Sequence, residues 1–183
     1  MVNLTLSSET PHFPVMLDEV IKICSPDEGG VYIDCTFGGG GYSKKLLKFS
    51  KTKVIALDRD EFIIKIGQEL KKKYPKRFFF HQKKFSEVNT VVGNQLADTV
   101  IFDLGVSSIQ LHNLERGFSF NSKATLDMSM GLSKTSAEEV INNFSEQALK
   151  SIIKILGEEK DASRIAKNIV KTCLLYTSDA ADE

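Results

Sequence analysis

The sequence predicts an α/β fold built on a doubly wound, mostly parallel sheet, and three observations carry that prediction. Short apolar runs alternate with helical patterns, several of those runs finish on an acid, and a glycine run follows the first of them. Strands that are separated each time by a helix need crossover connections, which makes neighbouring strands parallel and puts helices on both faces.

The elements follow in order. Val15, Met16, Val20, Ile23 and Cys24 fall close to helical spacing and Pro14 suits a first turn, so residues 15–24 read as a leading helix. A turn-rich stretch over 25–30 precedes a first strand over 31–35, which runs into Gly38, Gly39, Gly40 and Gly41. A helix with one buried side is expected over 42–47, and a second buried strand over 53–58 ends on Asp58. Phe62, Ile63, Ile66 and Leu70 mark a helix over 61–74 that Pro75 stops. A third strand over 78–80, a weak helix over 86–96 and a fourth strand over 99–104 complete the alternation. The polar stretch 106–133 reads as irregular, and loops of that length are usually functional or disordered. Three helical segments follow over 136–144, 145–156 and 162–171, the first opened by Ser136 and Glu139 and the second closed by Gly157.

Composition bounds the partners. The chain has 183 residues with 24 basic and 24 acidic side chains, and is 42% hydrophobic, the balance of one ordinary domain with a real core. A net charge of zero excludes global electrostatic capture of nucleic acid, so any such contact must use a local cluster. Lys44, Lys45, Lys48, Lys51 and Lys53 form one candidate, Lys71 to Lys73 another, and Lys83 with Lys84 a third, although a solvated helix face or loop is the favoured reading of each. No apolar run approaches the roughly 18 residues of a membrane span and the N-terminus has no signal-peptide pattern, so the chain is read as cytoplasmic. Cys24, Cys35 and Cys173 show no CxxC spacing and are expected to be reduced thiols; His12, His81 and His112 lack ligand spacing, so no metal is expected.

The segment from Asp34 to Gly41 is the most informative. Glycines at a strand-to-helix junction let a ligand approach the backbone, while a tight turn without ligand is the plain structural alternative. Read as G-x-G-x-x-G from Gly38, the third glycine position holds Ser43, which weakens a dinucleotide reading. Asp58 at a strand end suits ribose hydroxyls and serves an adenosine of NAD or of S-adenosyl-L-methionine alike. A carboxylate followed by glycines resembles the class I methyltransferase motif, in which an amino-acid moiety replaces the pyrophosphate.

At Asp103-Leu104-Gly105-Val106-Ser107-Ser108-Ile109-Gln110-Leu111 the likeness becomes specific. With the segment His12 to Glu19, the glycine run, Ala56 to Asp60, Glu115 to Phe120 and Leu126-Asp127-Met128, the chain resembles the bacterial 16S ribosomal RNA cytosine-N4 methyltransferase family, called RsmH or MraW, from about His12 to Lys171. The resemblance implies a class I, Rossmann-like core using S-adenosyl-L-methionine to methylate the N4 amino group of a cytidine in the small ribosomal subunit. It further implies that Gly40, Gly41 and Tyr42 hold the methionine end of that donor, that Asp58 takes the ribose, that Phe85 flanks the adenine, and that Asp103 and Gln110 also contact it. Phe85 reads equally as a core contact, whereas for Asp103 a helix cap or turn acid is the less favoured reading because open α/β sheets bind ligands at strand ends. No residue is assigned as a catalytic base, and Arg116 reads either as a phosphate contact or as a partner of protein groups.

Three departures stand out. Ile109 replaces a common proline, Gly39 and Tyr42 replace a common arginine and histidine, and the family's later motifs with the closing strands do not occur. The expected organisation is therefore an N-terminal part of the methyltransferase core over 1–133 with an incomplete sheet, the start of an inserted helical subdomain over 134–171, and a non-native tail over 172–183. A sheet ending at the fourth strand is expected to expose an apolar edge. Two alternatives remain at this point, an NAD(P)-dependent oxidoreductase and a non-catalytic nucleotide-binding module.

Overall fold

The computed structural model describes residues 14–133 and 135–179, with side chains to Cys173. His12 lies outside the described residues. Four strands, β1 (Gly30–Asp34), β2 (Thr52–Asp58), β3 (Phe78–Gln82) and β4 (Thr99–Ile101), form one sheet in the order β3-β2-β1-β4, and every pairing is parallel. The alternation of side chains along each strand separates two cores. Tyr32, Val54, Ala56, Phe78 and Ile101 point to one face, while Ile33, Ile55 and Leu57 point to the other. Continuous apolar runs are needed because both faces are covered.

Helices α1 (Leu17–Cys24), α2 (Gly41–Leu46) and α3 (Ile64–Lys73) supply the first core with Ile21, Cys24, Tyr42, Leu46 and Leu70. Helix α4 (Val88–Val92) packs Val88, Val91 and Val92 on the second. Of the apolar positions expected to mark the leading helix, Val20 and Cys24 face inward. Met16 takes a left-handed conformation at φ 52°, so the helix starts at Leu17, and the stripe Leu17, Val20, Ile21 and Cys24 faces inward. Val15, Met16 and Ile23 are exposed.

Strand β4 is shorter than expected. Beyond Ile101 the Asp103 N–H donates to the Thr36 hydroxyl at 2.7 Å, a bond that leaves the ladder. Val100 and Phe102 are half exposed, and no strand pairs with the outer edge of β4 among the described residues. The stretch expected to be irregular contains a helix, α5 (Ser108–His112). Ser107 and Gln110 form its capping box, the S-x-x-Q pattern that satisfies two orphan N–H groups at a helix start.

The chain divides into two compact units. The first holds the described residues up to Asn113 with Met130–Leu132; the second holds Leu114–Ser129 and the described residues from Ser133 onward. Leu114–Ser129 thus groups with the helices rather than with the sheet. The reason is local: the first N–H groups of α6 (Ala137–Asn143) bond to the carbonyls of Asp127 and Leu126, both at 2.8 Å. In the same unit Arg116 is buried, donates to the Ser129 carbonyl at 2.8 Å and lies over the Phe118 ring. Helices α7 (Glu146–Leu156) and α8 (Ala162–Asp179) pack together, with Leu149, Ala162 and Ala166 buried. The helix expected over 162–171 thus continues to Asp179. Among the described residues no helix is long and apolar enough to cross a membrane.

Candidate functional site

The order β3-β2-β1-β4 places a topological switch between β1 and β4, because the chain leaves β1 toward β2 and returns to the other side for β4. Open parallel sheets bind ligands in the crevice at such a point, beyond the carboxyl ends of the strands. A cavity of about 530 Å³ lies there, formed by the segments that follow all four strands and by Pro14, Val15 and Met130.

The loop after β1 is tied on both sides. Phe37 N–H donates to the Leu57 carbonyl at 3.0 Å, and Gly38 N–H donates to Asp58 Oδ2 at 2.7 Å. The Thr36 hydroxyl receives the Asp103 N–H, so one threonine connects the ends of β1 and β4. Gly40 has φ +76°, and a Cβ there would stand 2.7 Å from the Phe37 ring. At Gly41 a Cβ would fall 2.0 Å from Pro14 Cγ. The Tyr42 hydroxyl donates to the Val15 carbonyl, which fastens the chain before α1 beside the same loop. Gly40 is therefore required by close approach and by backbone conformation, and Gly41 by close approach alone.

Gly41, Tyr42, Asp58, Phe85, Asp103 and Gln110 all line the cavity, while Gly40 stands just behind the lining with its face against Phe37. Both Asp58 oxygens are engaged, since Asp60 N–H donates to Oδ1 at 2.9 Å and Gly38 N–H to Oδ2. Burial pushes its carboxyl above the usual range, and those N–H groups pull it back. Phe85 is 45% exposed and meets Phe102 edge to face, with ring centroids 5.8 Å apart. Asp34 lies under the loop, fully buried, accepting from the Ser43 hydroxyl at 2.6 Å; burial raises its carboxyl to about 6. Cys35 lines the cavity, and burial raises its thiol to about 11, which favours the protonated form.

Residues 9–178 match the family model described as the MraW methylase family. The chain belongs to that family. It is 43% identical over 171 residues to a protein of Zymomonas mobilis, covering 92% of this chain and 52% of that one. It is 44% identical over 160 residues to a protein of Rickettsia akari, covering 87% and 52%. A protein of Parvibaculum lavamentivorans is 42% identical over 167 residues, covering 90% and 49%. All three bear the name ribosomal RNA small subunit methyltransferase H. The chain spans about half the length of the curated relatives it matches.

The four-stranded parallel sheet with helices on both faces is the Rossmann-like α/β fold expected of an MraW methylase. Within this member, sequence reasoning missed two groups that shape the cavity. Thr36 lies in the Asp34 to Gly41 segment, but no role could be read for it because its partner is 67 residues away. Asp60 is fully buried and bonds to Gln110; it closes the matched Ala56 to Asp60 segment, which gave it no role of its own.

Proposed function

We propose that this chain carries the donor-binding part of a methyltransferase that uses S-adenosyl-L-methionine to methylate the N4 amino group of a cytidine in 16S ribosomal RNA, acting on the small ribosomal subunit in the cytoplasm. One observation carries the reading most: a glycine bend and two carboxylates, Asp58 and Asp103, meet in one cavity at the switch point of the sheet. Family membership supports it independently.

The residues present suit the donor. The cavity volume falls within the range of small-molecule sites. Phe37 and Pro14 leave no room for a side chain at Gly40 and Gly41, so Gly41 meets the cavity through backbone alone, as a methionine moiety needs. The lone pairs of Asp58 not used by Gly38 and Asp60 accept the two ribose hydroxyls, and the half-exposed Phe85 ring supplies a flat face for the adenine. When bound, the donor supplies a methyl group already activated by its sulfonium. The protein's own work is then placement, because cytosine N4 has a delocalised lone pair and must be held in line with that methyl group; such orientation is worth on the order of 7 kcal/mol or more in favourable cases. Asp103 and the Ser107 and Ser108 hydroxyls stand at the rim where they orient the amine. The target nucleotide leaves its stack to reach them.

A nicotinamide-dependent oxidoreductase is disfavoured by Ser43, whose buried hydroxyl is bonded to Asp34 where the dinucleotide pattern has its third glycine. Calorimetric titration separates the two: S-adenosylhomocysteine binds and NADH does not, and the reverse result rejects the proposal. Methyl transfer to small subunits from a strain lacking the modification, using this chain and a chimera completed with the C-terminal half of the Zymomonas relative, distinguishes an enzyme from a non-catalytic binding module.

A further inference from the structure

Asp60 is 0% exposed and lies two residues past the proposed ribose acid. Its Oδ1 accepts the Phe62 N–H at 3.2 Å, which caps the 3-10 turn Glu61–Ile63, and its Oδ2 accepts from Gln110 Nε2 at 2.8 Å. Gln110 is itself 5% exposed and lines the cavity. Its other amide atom, Oε1, accepts the Ser107 N–H at 2.9 Å. A backbone N–H can only donate, so the oxygen must face Ser107 and the nitrogen must face Asp60. The amide therefore has a single orientation, and the second hydrogen on Nε2 is the donor it retains. Meanwhile the Asp60 N–H donates to Asp58 Oδ1. One residue thus holds Asp58 with its backbone and Gln110 with its side chain, joining the loop after β2 to helix α5.

We propose that Asp60 is a positioning residue of the donor site, whose buried carboxylate aims the Gln110 amide as a hydrogen-bond donor toward the adenosyl ligand while its backbone steadies Asp58. The inference rests on the cavity being the donor's. It extends that reading by naming a residue that acts through another without touching the ligand.

Two substitutions separate positioning from plain folding. Asp60→Asn offers one oxygen to two donors, Phe62 N–H and Gln110 Nε2, so the Gln110 amide loses its anchor. Asp60→Ser keeps a hydroxyl able to cap the Phe62 N–H, as serine does at helix starts, but it is too short for Gln110. S-adenosylhomocysteine is titrated into the parent, Asp60→Asn, Asp60→Ser, Gln110→Ala and the double variant Asp60→Ser/Gln110→Ala, with melting temperatures measured alongside. Each single change is expected to weaken binding about tenfold, the scale of one buried charged hydrogen bond. The double variant is expected to bind within about twofold of Gln110→Ala, because the carboxylate acts through the amide. Unchanged affinity in a folded Asp60→Ser, or losses that multiply in the double variant, overturns the proposal. If Asp60→Asn does not fold, the serine variant and its double carry the test. Failure of the parent to bind overturns the donor reading and this inference with it, whereas parent binding with an unaffected serine variant overturns only the positioning role.

Discussion

The floor and the rim of the cavity are built differently. On the floor, the segments following β1 and β2 are tied to each other by Phe37, Gly38 and Asp58, and Asp34, Ser43 and Asp60 beneath them are all fully buried. At the rim, after β4, Leu104 is 68% exposed, Val106 is half exposed, and a Cβ at Gly105 would meet nothing within 4 Å. A floor with its polar groups already bonded holds a small ligand in one pose, whereas a rim with open space accommodates a larger and more variable partner. The contrast matches the division of labour in a transferase, with the donor held deep and the acceptor met at the surface.

The strongest way to break the comparison is to add one methyl group on each side. Gly40→Ala combines a left-handed φ with a clash against the Phe37 ring and is expected to cost roughly 2–4 kcal/mol in urea unfolding. Gly105→Ala carries backbone strain alone and is expected to cost about 1–2 kcal/mol. Equal losses would contradict the distinction between floor and rim.

Removal of a floor carboxylate comes next. Asp58→Ala is expected to weaken S-adenosylhomocysteine binding by about 1–3 kcal/mol through lost charged hydrogen bonds. An unchanged dissociation constant rejects the ribose role.

Buried Asp34 sharpens the comparison through pH. Its folded carboxyl stands at about 6 against a reference of 3.8, so the folded protein holds this proton more tightly than the unfolded chain. Its contribution to stability is full below pH of about 4, is lost as the pH rises through about 6, and is flat above. Asp34→Asn removes that slope, and denaturant midpoints measured at several pH values report it. The smallest effect belongs to the rim, where Leu104→Ser is expected to change stability by less than about 0.5 kcal/mol.

How much of this was legible from residues depends on the distance over which each feature is decided. Strands β1 and β2 were readable because burial on both faces demands uninterrupted apolar runs. Strand β4 was overestimated because Phe102 and Leu104 look like strand residues, while the bond that ends the ladder comes from Thr36, far away in sequence. For α1 the left-handed Met16 leaves Val15 and Met16 outside the helix, and Ile23 was counted with the apolar stripe that Leu17 and Ile21 occupy instead. Helix α5 was missed even though Ser107 and Gln110 spell a local cap. The glycine run and Asp58 were readable from their places at strand ends, and the other candidates came from the family resemblance; Asp60 closes the Ala56 to Asp60 motif, but spacing does not reveal its bond across to Gln110.

The central claim, that the switch-point cavity is an adenosyl-donor site, is tested most directly by a crystal structure of the protein with S-adenosylhomocysteine. The account predicts ribose hydroxyls on the Asp58 carboxylate, adenine against Phe85 and the amino-acid end at Gly40, Gly41 and Tyr42. A ligand bound elsewhere, or a cavity that stays free of it at saturating concentration, would contradict the account.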